Sequence, residues 1–409
     1  MTRAASVTVQ GEVAPGFERV ADTFRENFAK RGEIGASVCV FQHGRKVVDL
    51  WGGFADREAC RPWERDTVAI LFSATKGLAA MTVLALAEAG LVDYDRPVAD
   101  YWPGFAAAGK AGITVRTLMN HRAGLHAIER TITLADLVDP ARYVPALEAQ
   151  RPLWPPGSDQ GYHGVSYGLY VGELVRRITG KRLGEVFAER IAGPLGLGDD
   201  LWIGTPASVE PRVARLYTVD TRTRLTEVLP RLVTGLTHEG RIYRAFARRS
   251  SDTARAFANP AELGTRGIGR YGSREVRALD MPWANGVGHA RSLAAAYAGL
   301  LGHEGAPKIV SRERLAEVFA RQSWASMDRV LLKPLGWSQG FLKEEAHVFS
   351  PDLQSFGHAG AGGILGWAVP GAGLAIGYVM NRMDFHIRSP RALALAHAVQ
   401  ASVGRPTAA

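Results

Sequence analysis

The chain of 409 residues has only two cysteines, Cys39 and Cys60. Two thiols make neither a disulfide framework nor a cysteine zinc site, and they fit a reducing compartment. The first thirty residues lack an apolar signal core, and charge recurs at Arg25, Glu26, Lys30 and Arg31. No export signal is therefore expected, and a cytoplasmic location is. Lysine is scarce, eight against 41 arginines. There is no internal repeat and no low-complexity tract. The longest uncharged run, Gly357 to Asn381, is long enough to span a bilayer, but seven glycines and Pro370-Gly371-Ala372-Gly373 interrupt it. Two strands and a turn are expected there, with no membrane partner.

What remains is the composition of a folded protein, with 46% hydrophobic and 22% charged residues and a net charge of +9. Such a charge raises the question of nucleic acid. Basic residues interleaved with aromatics are absent, and no nucleic-acid motif appears, so no nucleic-acid partner is expected. The segment from Thr221 to Asp280 holds twelve Arg against six Asp or Glu. Its Pro, Gly and Ser content predicts a long, loop-rich surface excursion.

Strand-like runs gather at the two ends of the chain. Ala36 to Phe41 and Lys46 to Trp51 flank His43-Gly44 as a hairpin, and short strands separated by glycine recur from Trp337 to Met380. Amphipathic stretches at Gly16 to Lys30 and Ser389 to Val403 predict terminal helices. Between them, helix-period apolar positions mark Gly77 to Ala89, Thr114 to Asn120, Tyr167 to Thr179, Leu183 to Ile191 and Ser292 to Leu301. The expected fold is α+β. One antiparallel sheet is built from N- and C-terminal strands and flanked by helices (1–72 plus 290–409), and a mostly helical domain (73–289) is inserted in it. The active site is expected in the groove between them.

Three clusters can carry chemistry. Ser73 and Lys76 form an S-x-x-K pair at a helix start, where residues three apart share a face and an amine can reach a hydroxyl. A lysine whose pKa is lowered by burial can deprotonate serine. Chance supplies about 0.35 such pairs in this composition, so the pair alone also fits a polar helix start with Lys76 reaching outward. Its position after the apolar run Val68 to Phe72 adds weight. Tyr162 follows a Pro-Gly-rich loop, and a phenol beside a cationic lysine can be held partly ionised as a base; a packed tyrosine with a hydrogen-bonded tip fits equally. The third cluster is His358-Ala359-Gly360-Ala361, where small residues let a substrate approach backbone N–H groups and His358 can orient a carbonyl or tune Lys76. A structural histidine at a glycine-rich strand start is the alternative. Gly164-Val165-Ser166-Tyr167-Gly168 matches the G-x-S-x-G nucleophile elbow, but that motif needs a strand before it and Pro155-Pro156-Gly157 excludes one.

Taken in order, Ser-x-x-Lys, Tyr after a Pro-Gly loop, and His-x-Gly before a glycine-rich strand, the sequence resembles the serine hydrolases of the class C β-lactamase and penicillin-binding-protein superfamily. It looks closest to the family VIII carboxylesterases. Segments at Gly35 to Gly53, Gly90 to Val98, Ile113 to Leu125, Ile191 to Leu197 and Asn285 to Leu293 extend the resemblance over most of the chain. It implies a β-lactamase-like fold and Ser73 as acyl-forming nucleophile. Lys76 and Tyr162 would be the base pair, and the N–H groups of Ser73 and Ala361 the oxyanion hole. His358, Gly360, His121, Trp337 and Asn285 are the implied substrate-binding residues. No metal or organic cofactor is called for, and the partner is a small-molecule ester. Two departures stand out: Tyr-x-Asn of the β-lactamases is Tyr162-His163-Gly164 here, and Lys-Thr-Gly is His358-Ala359-Gly360. Both favour ester over β-lactam cleavage. The alternatives are an amidase, β-lactamase or acyltransferase on the same three residues, or a non-catalytic binding relative.

Overall fold

The hairpin around His43-Gly44 forms with a two-residue turn whose φ values, 48° and 76°, suit the right-handed twist of its strands. The computed structural model describes residues 7–264, 267–303 and 307–403. In chain order its strands are β1 (Val9–Val13), β2 (Gly35–Gln42), β3 (Arg45–Asp56), β4 (Arg61–Pro62), β5 (Ala69–Ile70), β6 (Leu201–Trp202) and β7 (Val287–Gly288). They continue with β8 (Ser323–Ala325), β9 (Leu335–Ser338), β10 (Phe341–Lys343), β11 (Phe356–Ala359), β12 (Leu365–Val369) and β13 (Leu374–Met380).

Ten of them make one antiparallel sheet in the order β1-β3-β2-β13-β12-β11-β10-β9-β8, with β4 paired to β3. The two ends of the chain meet where β2 pairs with β13, from Ala36 opposite Met380 to Gln42 opposite Leu374. The long uncharged run is thus the β12–β13 hairpin, turning at Pro370 to Gly373. Among the described residues no helix is long and apolar enough to cross a membrane.

Every residue of β13 is buried, because helices cover both of its faces. A Cβ at Gly377 would run into the Ala290 carbonyl oxygen, so the Ala290–Leu301 helix lies directly on that face. The neighbouring Tyr378 points to the other face. There its hydroxyl donates to Glu33, which also binds Arg391 of the Pro390–Ser402 helix.

Between β4 and β8 the chain is mostly helical, and β5, β7 and β6 add a small three-stranded sheet that the sequence did not predict. The Thr75–Glu88 helix is its centre: every residue from Thr75 to Ala87 is buried, as an all-round apolar helix requires. The Ser166–Thr179 helix ends at Gly180, whose φ of 74° is a left-handed C-terminal stop that glycine adopts without strain.

The segment from Thr221 to Asp280 departs from expectation. It is a chain of short helices rather than a loop excursion. Thr221 to Thr234 runs as continuous helical backbone, followed by His238–Ala247, Asp252–Ala256 and Arg274–Ala278. The side chains of Asp220, Thr237, Ser251 and Ser273 cap each start by accepting a backbone N–H. The polar residues that suggested loops are punctuation between helices.

Candidate active site

β5 delivers the chain to Ser73. Leu71 N–H donates to the Gly286 carbonyl at 2.7 Å, and Gly286 N–H donates to Thr75 Oγ1 at 2.9 Å, which pins both sides of the turn. Phe72 takes a φ of 43°, a left-handed conformation that costs a bulky residue about 1–3 kcal/mol. Ser73 follows in a single 3₁₀ turn, Phe72 to Ala74, before the buried helix begins. The strained strand-to-helix junction that a G-x-S-x-G serine would need is therefore occupied by the S-x-x-K serine. Ser166 instead opens a helix after irregular chain, 2% exposed and without a hydrogen-bond partner for its hydroxyl.

Lys76, one turn on, has no exposed surface. Its Nζ donates to the Trp283 carbonyl at 2.9 Å and stands 3.5 Å from Ser73 Oγ. It also lies 4.9 Å from the centre of the Tyr162 ring. Burial pushes the pKa of the amine well below the ordinary lysine range, because the charged form is disfavoured away from water.

Tyr162 is placed by a carboxylate remote in sequence. Asp328 Oδ1 accepts the N–H groups of Tyr162, Val330 and Leu331 at 2.9–3.0 Å, and Gln160 donates to Oδ2. The phenol ring stacks on Trp337, with centroids 5.7 Å apart and planes 11° apart. Burial raises the Tyr162 phenol above its ordinary value, offset only in part by a hydrogen-bonding interaction with Ser73. Burial thus works against the expected partly ionised Tyr162 beside a cationic Lys76. It disfavours both charged forms, the ammonium of Lys76 and the phenolate of Tyr162.

The third cluster closes the site. A Cβ at Gly360 would fall 2.5 Å from the Leu71 carbonyl oxygen and 3.4 Å from the Ala74 nitrogen, so the end of β11 lies against the Ser73 turn. Ala361, exposed, starts the 3₁₀ turn that follows, and Gly363 N–H closes it onto the Gly360 carbonyl. Arg391 donates to the Gly362 carbonyl at 3.1 Å from within the Glu33 ion pair. His358 is 2% exposed. Its Nδ1 bonds the Ala359 carbonyl, its Nε2 is unpartnered, and burial and Lys76 lower its pKa to about 3. It is a neutral imidazole.

Ser73, Lys76, Tyr162, His358, Gly360 and Ala361 therefore converge. Besides the buried His358, three implied substrate-binding residues do not reach a free surface. His121 is fully buried and takes the His163 N–H on its Nδ1 at 2.9 Å, with its ring 4.0 Å from Trp337 and 5.1 Å from Tyr162. Trp337 lies within β9, equally buried. Both support Tyr162 from beneath. Asn285 spends its amide on the Val276 and Leu279 carbonyls and its oxygen on the Met281 N–H, which folds the 276–285 loop over Lys76 rather than facing a substrate. Sequence reasoning did not find Asp328 or the Trp283 carbonyl, since neither belongs to a local pattern. Among the described residues no group of three or more His, Cys, Asp or Glu could hold a metal ion.

Residues 20–400 match the family model described as Beta-lactamase. Esterase/beta-lactamase LipL of Mycobacterium tuberculosis is 34% identical over 378 residues, which covers 92% of this chain and 83% of that protein. Among solved structures, a family VIII carboxylesterase is 39% identical with a TM-score of 0.83, covering 96% of this chain and 98% of the other. A penicillin-binding protein homolog from Caulobacter crescentus is 33% identical with a TM-score of 0.81, covering 97% of this chain and all of the other.

Proposed function

Because the chain belongs to the beta-lactamase family, which its residues match from 20 to 400, we propose that it is a serine hydrolase that cleaves short-chain carboxylic esters through an acyl-enzyme on Ser73. The observation that carries this reading is the buried Lys76 amine, its pKa lowered by burial, 3.5 Å from the hydroxyl of Ser73, which is itself partly exposed.

In the proposed cycle Ser73 Oγ bonds to the ester carbonyl carbon while its proton passes to the Lys76 amine. The carbonyl oxygen becomes an oxyanion held by the N–H groups of Ser73 and Ala361. The bond to the alkoxy group then breaks, the departing oxygen takes the Tyr162 hydroxyl proton, and Lys76 returns its proton to Tyr162. Water repeats the sequence on the acyl-enzyme and releases the acid.

The neutral state of His358 supports esters over β-lactams, since it leaves no fixed cation at that position for a β-lactam carboxylate. His163 adds to this: its ring is turned inward, with Nδ1 on the Gly161 carbonyl and Nε2 accepting the Leu125 N–H. The names of LipL and of the family VIII structure support the same reaction class. The test is p-nitrophenyl butyrate and nitrocefin hydrolysis side by side, with mass-spectrometric trapping of the butyryl-enzyme. Butyrate turnover that Ser73→Ala abolishes, with the adduct on Ser73, is the expected result. A rate that survives Ser73→Ala, or nitrocefin turnover exceeding ester turnover, overturns the assignment.

A further inference from the structure

Ten large apolar side chains are exposed among the described residues, and four of them fall between positions 225 and 236: Leu225, Leu229, Val233 and Leu236 are 59%, 45%, 66% and 81% exposed. The first three recur every fourth residue along the Thr221 to Thr234 helical stretch, so they stand on one face. A helix ordinarily turns such a face to the core. Here the face is turned to solvent.

Arginines rim it at both ends. Arg222 and Arg224, both exposed, lie in its first turns. Arg241 and Arg244, exposed on the next helix, reach back to carbonyls at its end and just beyond it: Arg244 donates to Leu232 and Val233, and Arg241 to Leu236. Nearby ion pairs take up Arg231 with Glu227 and Arg382 with Asp220, but among the described residues no carboxylate pairs with these four. A solvent-facing aliphatic stripe edged by guanidinium groups that have no carboxylate partner is the pattern of a helix that lies in the surface of an anionic lipid layer. A second copy of the chain fits less well, since it would set the same four arginines against themselves.

We propose that residues 221–244 form a docking surface for an anionic lipid interface. Leu225, Leu229, Val233 and Leu236 enter the apolar boundary while Arg222, Arg224, Arg241 and Arg244 meet lipid phosphates. This reverses the expectation of no membrane partner, and it requires no spanning segment. It does not depend on the reaction assigned to Ser73.

The test is flotation of the full chain with vesicles of phosphatidylglycerol mixed into phosphatidylcholine, against phosphatidylcholine alone. Binding to the mixed vesicles is expected, weakening as added salt shortens the screening length. Arg222→Gln with Arg224→Gln lowers partitioning about tenfold or more, as each arginine near an anionic surface contributes on the order of a fivefold factor. Leu229→Ser with Val233→Ser removes binding, and both double variants keep the wild-type rate on soluble p-nitrophenyl butyrate. The proposal is overturned if the wild type does not float with mixed vesicles or if the serine variant floats as well as the wild type. A wild-type dimer that the serine variant converts to monomer also overturns it, by identifying a second copy as the occupant.

Discussion

The Lys76 amine stands 3.5 Å from the Ser73 hydroxyl while donating at 2.9 Å to the Trp283 carbonyl, so one buried group reaches both the serine and the loop that carries Trp283. Among the described residues no carboxylate is hydrogen-bonded to the amine, and burial lowers its pKa.

A pH profile of kcat/KM follows from that. Protonation of Lys76 removes the base, so the rate falls on the acid side as pH drops through a lysine pKa well below its ordinary value. His163 and His358, lowered to about 3 by burial, titrate too low to set this limb. Steady-state kinetics of wild type and His358→Asn are expected to share one acid midpoint. A midpoint that moves with the histidine variant would assign the limb to His358.

Stability carries the same signature. A lysine whose folded pKa lies below its unfolded one binds more protons in the unfolded state. The wild type is therefore penalised most at low pH and relieved as pH rises toward the unfolded value of about 10.4. Relative to Lys76→Met, wild-type stability gains about 1.4 kcal/mol per pH unit inside that window. Urea unfolding of both proteins from pH 6 to pH 10 checks the slope. Parallel stabilities across the range would show that Lys76 is charged in the folded protein.

Tyr162→Phe keeps the ring on Trp337 and the backbone bond to Asp328. Its melting temperature should change little, while kcat falls about 10²–10⁴-fold, the usual worth of a positioned proton donor. Asp328→Ala separates support from chemistry. It leaves two buried N–H groups and one partly buried one without an acceptor, so stability falls by about 3 kcal/mol, and denaturant melts check the figure.

Ser166→Ala is expected to keep the full ester rate and to be neutral or up to about 1 kcal/mol more stable. It removes a buried hydroxyl that has no hydrogen-bond partner. Loss of activity in a folded variant would return Ser166 to candidacy.

Local signals made the hairpin, the helix ending at Gly180 and the Ser73–Lys76 pair legible, because each is decided within a few residues. Asp328 and Tyr162 lie 166 positions apart, and Lys76 and Trp283 lie 207 apart. Nothing in a linear pattern marks such partners. The resemblance brought His121, Trp337 and Asn285 to the right neighbourhood but not to the right orientation. Burial settled that, turning two into a bed for Tyr162 and the third into a loop clasp. The Pro, Gly and Ser content between 221 and 280 read as loop and obscured four helix starts, whose Asp, Thr and Ser caps were present in the sequence.

The pairing of β2 with β13 has a consequence in time. During synthesis at about 5–20 residues per second, tens of seconds separate the emergence of Gln42 from that of Leu374, its partner in the sheet. Throughout that interval the β2–β3 hairpin keeps one bare edge. Lys46 and Arg45 at its turn, the bulge between Val40 and Phe41 and the left-handed His43 are the features there that discourage another nascent chain from taking the place of β13.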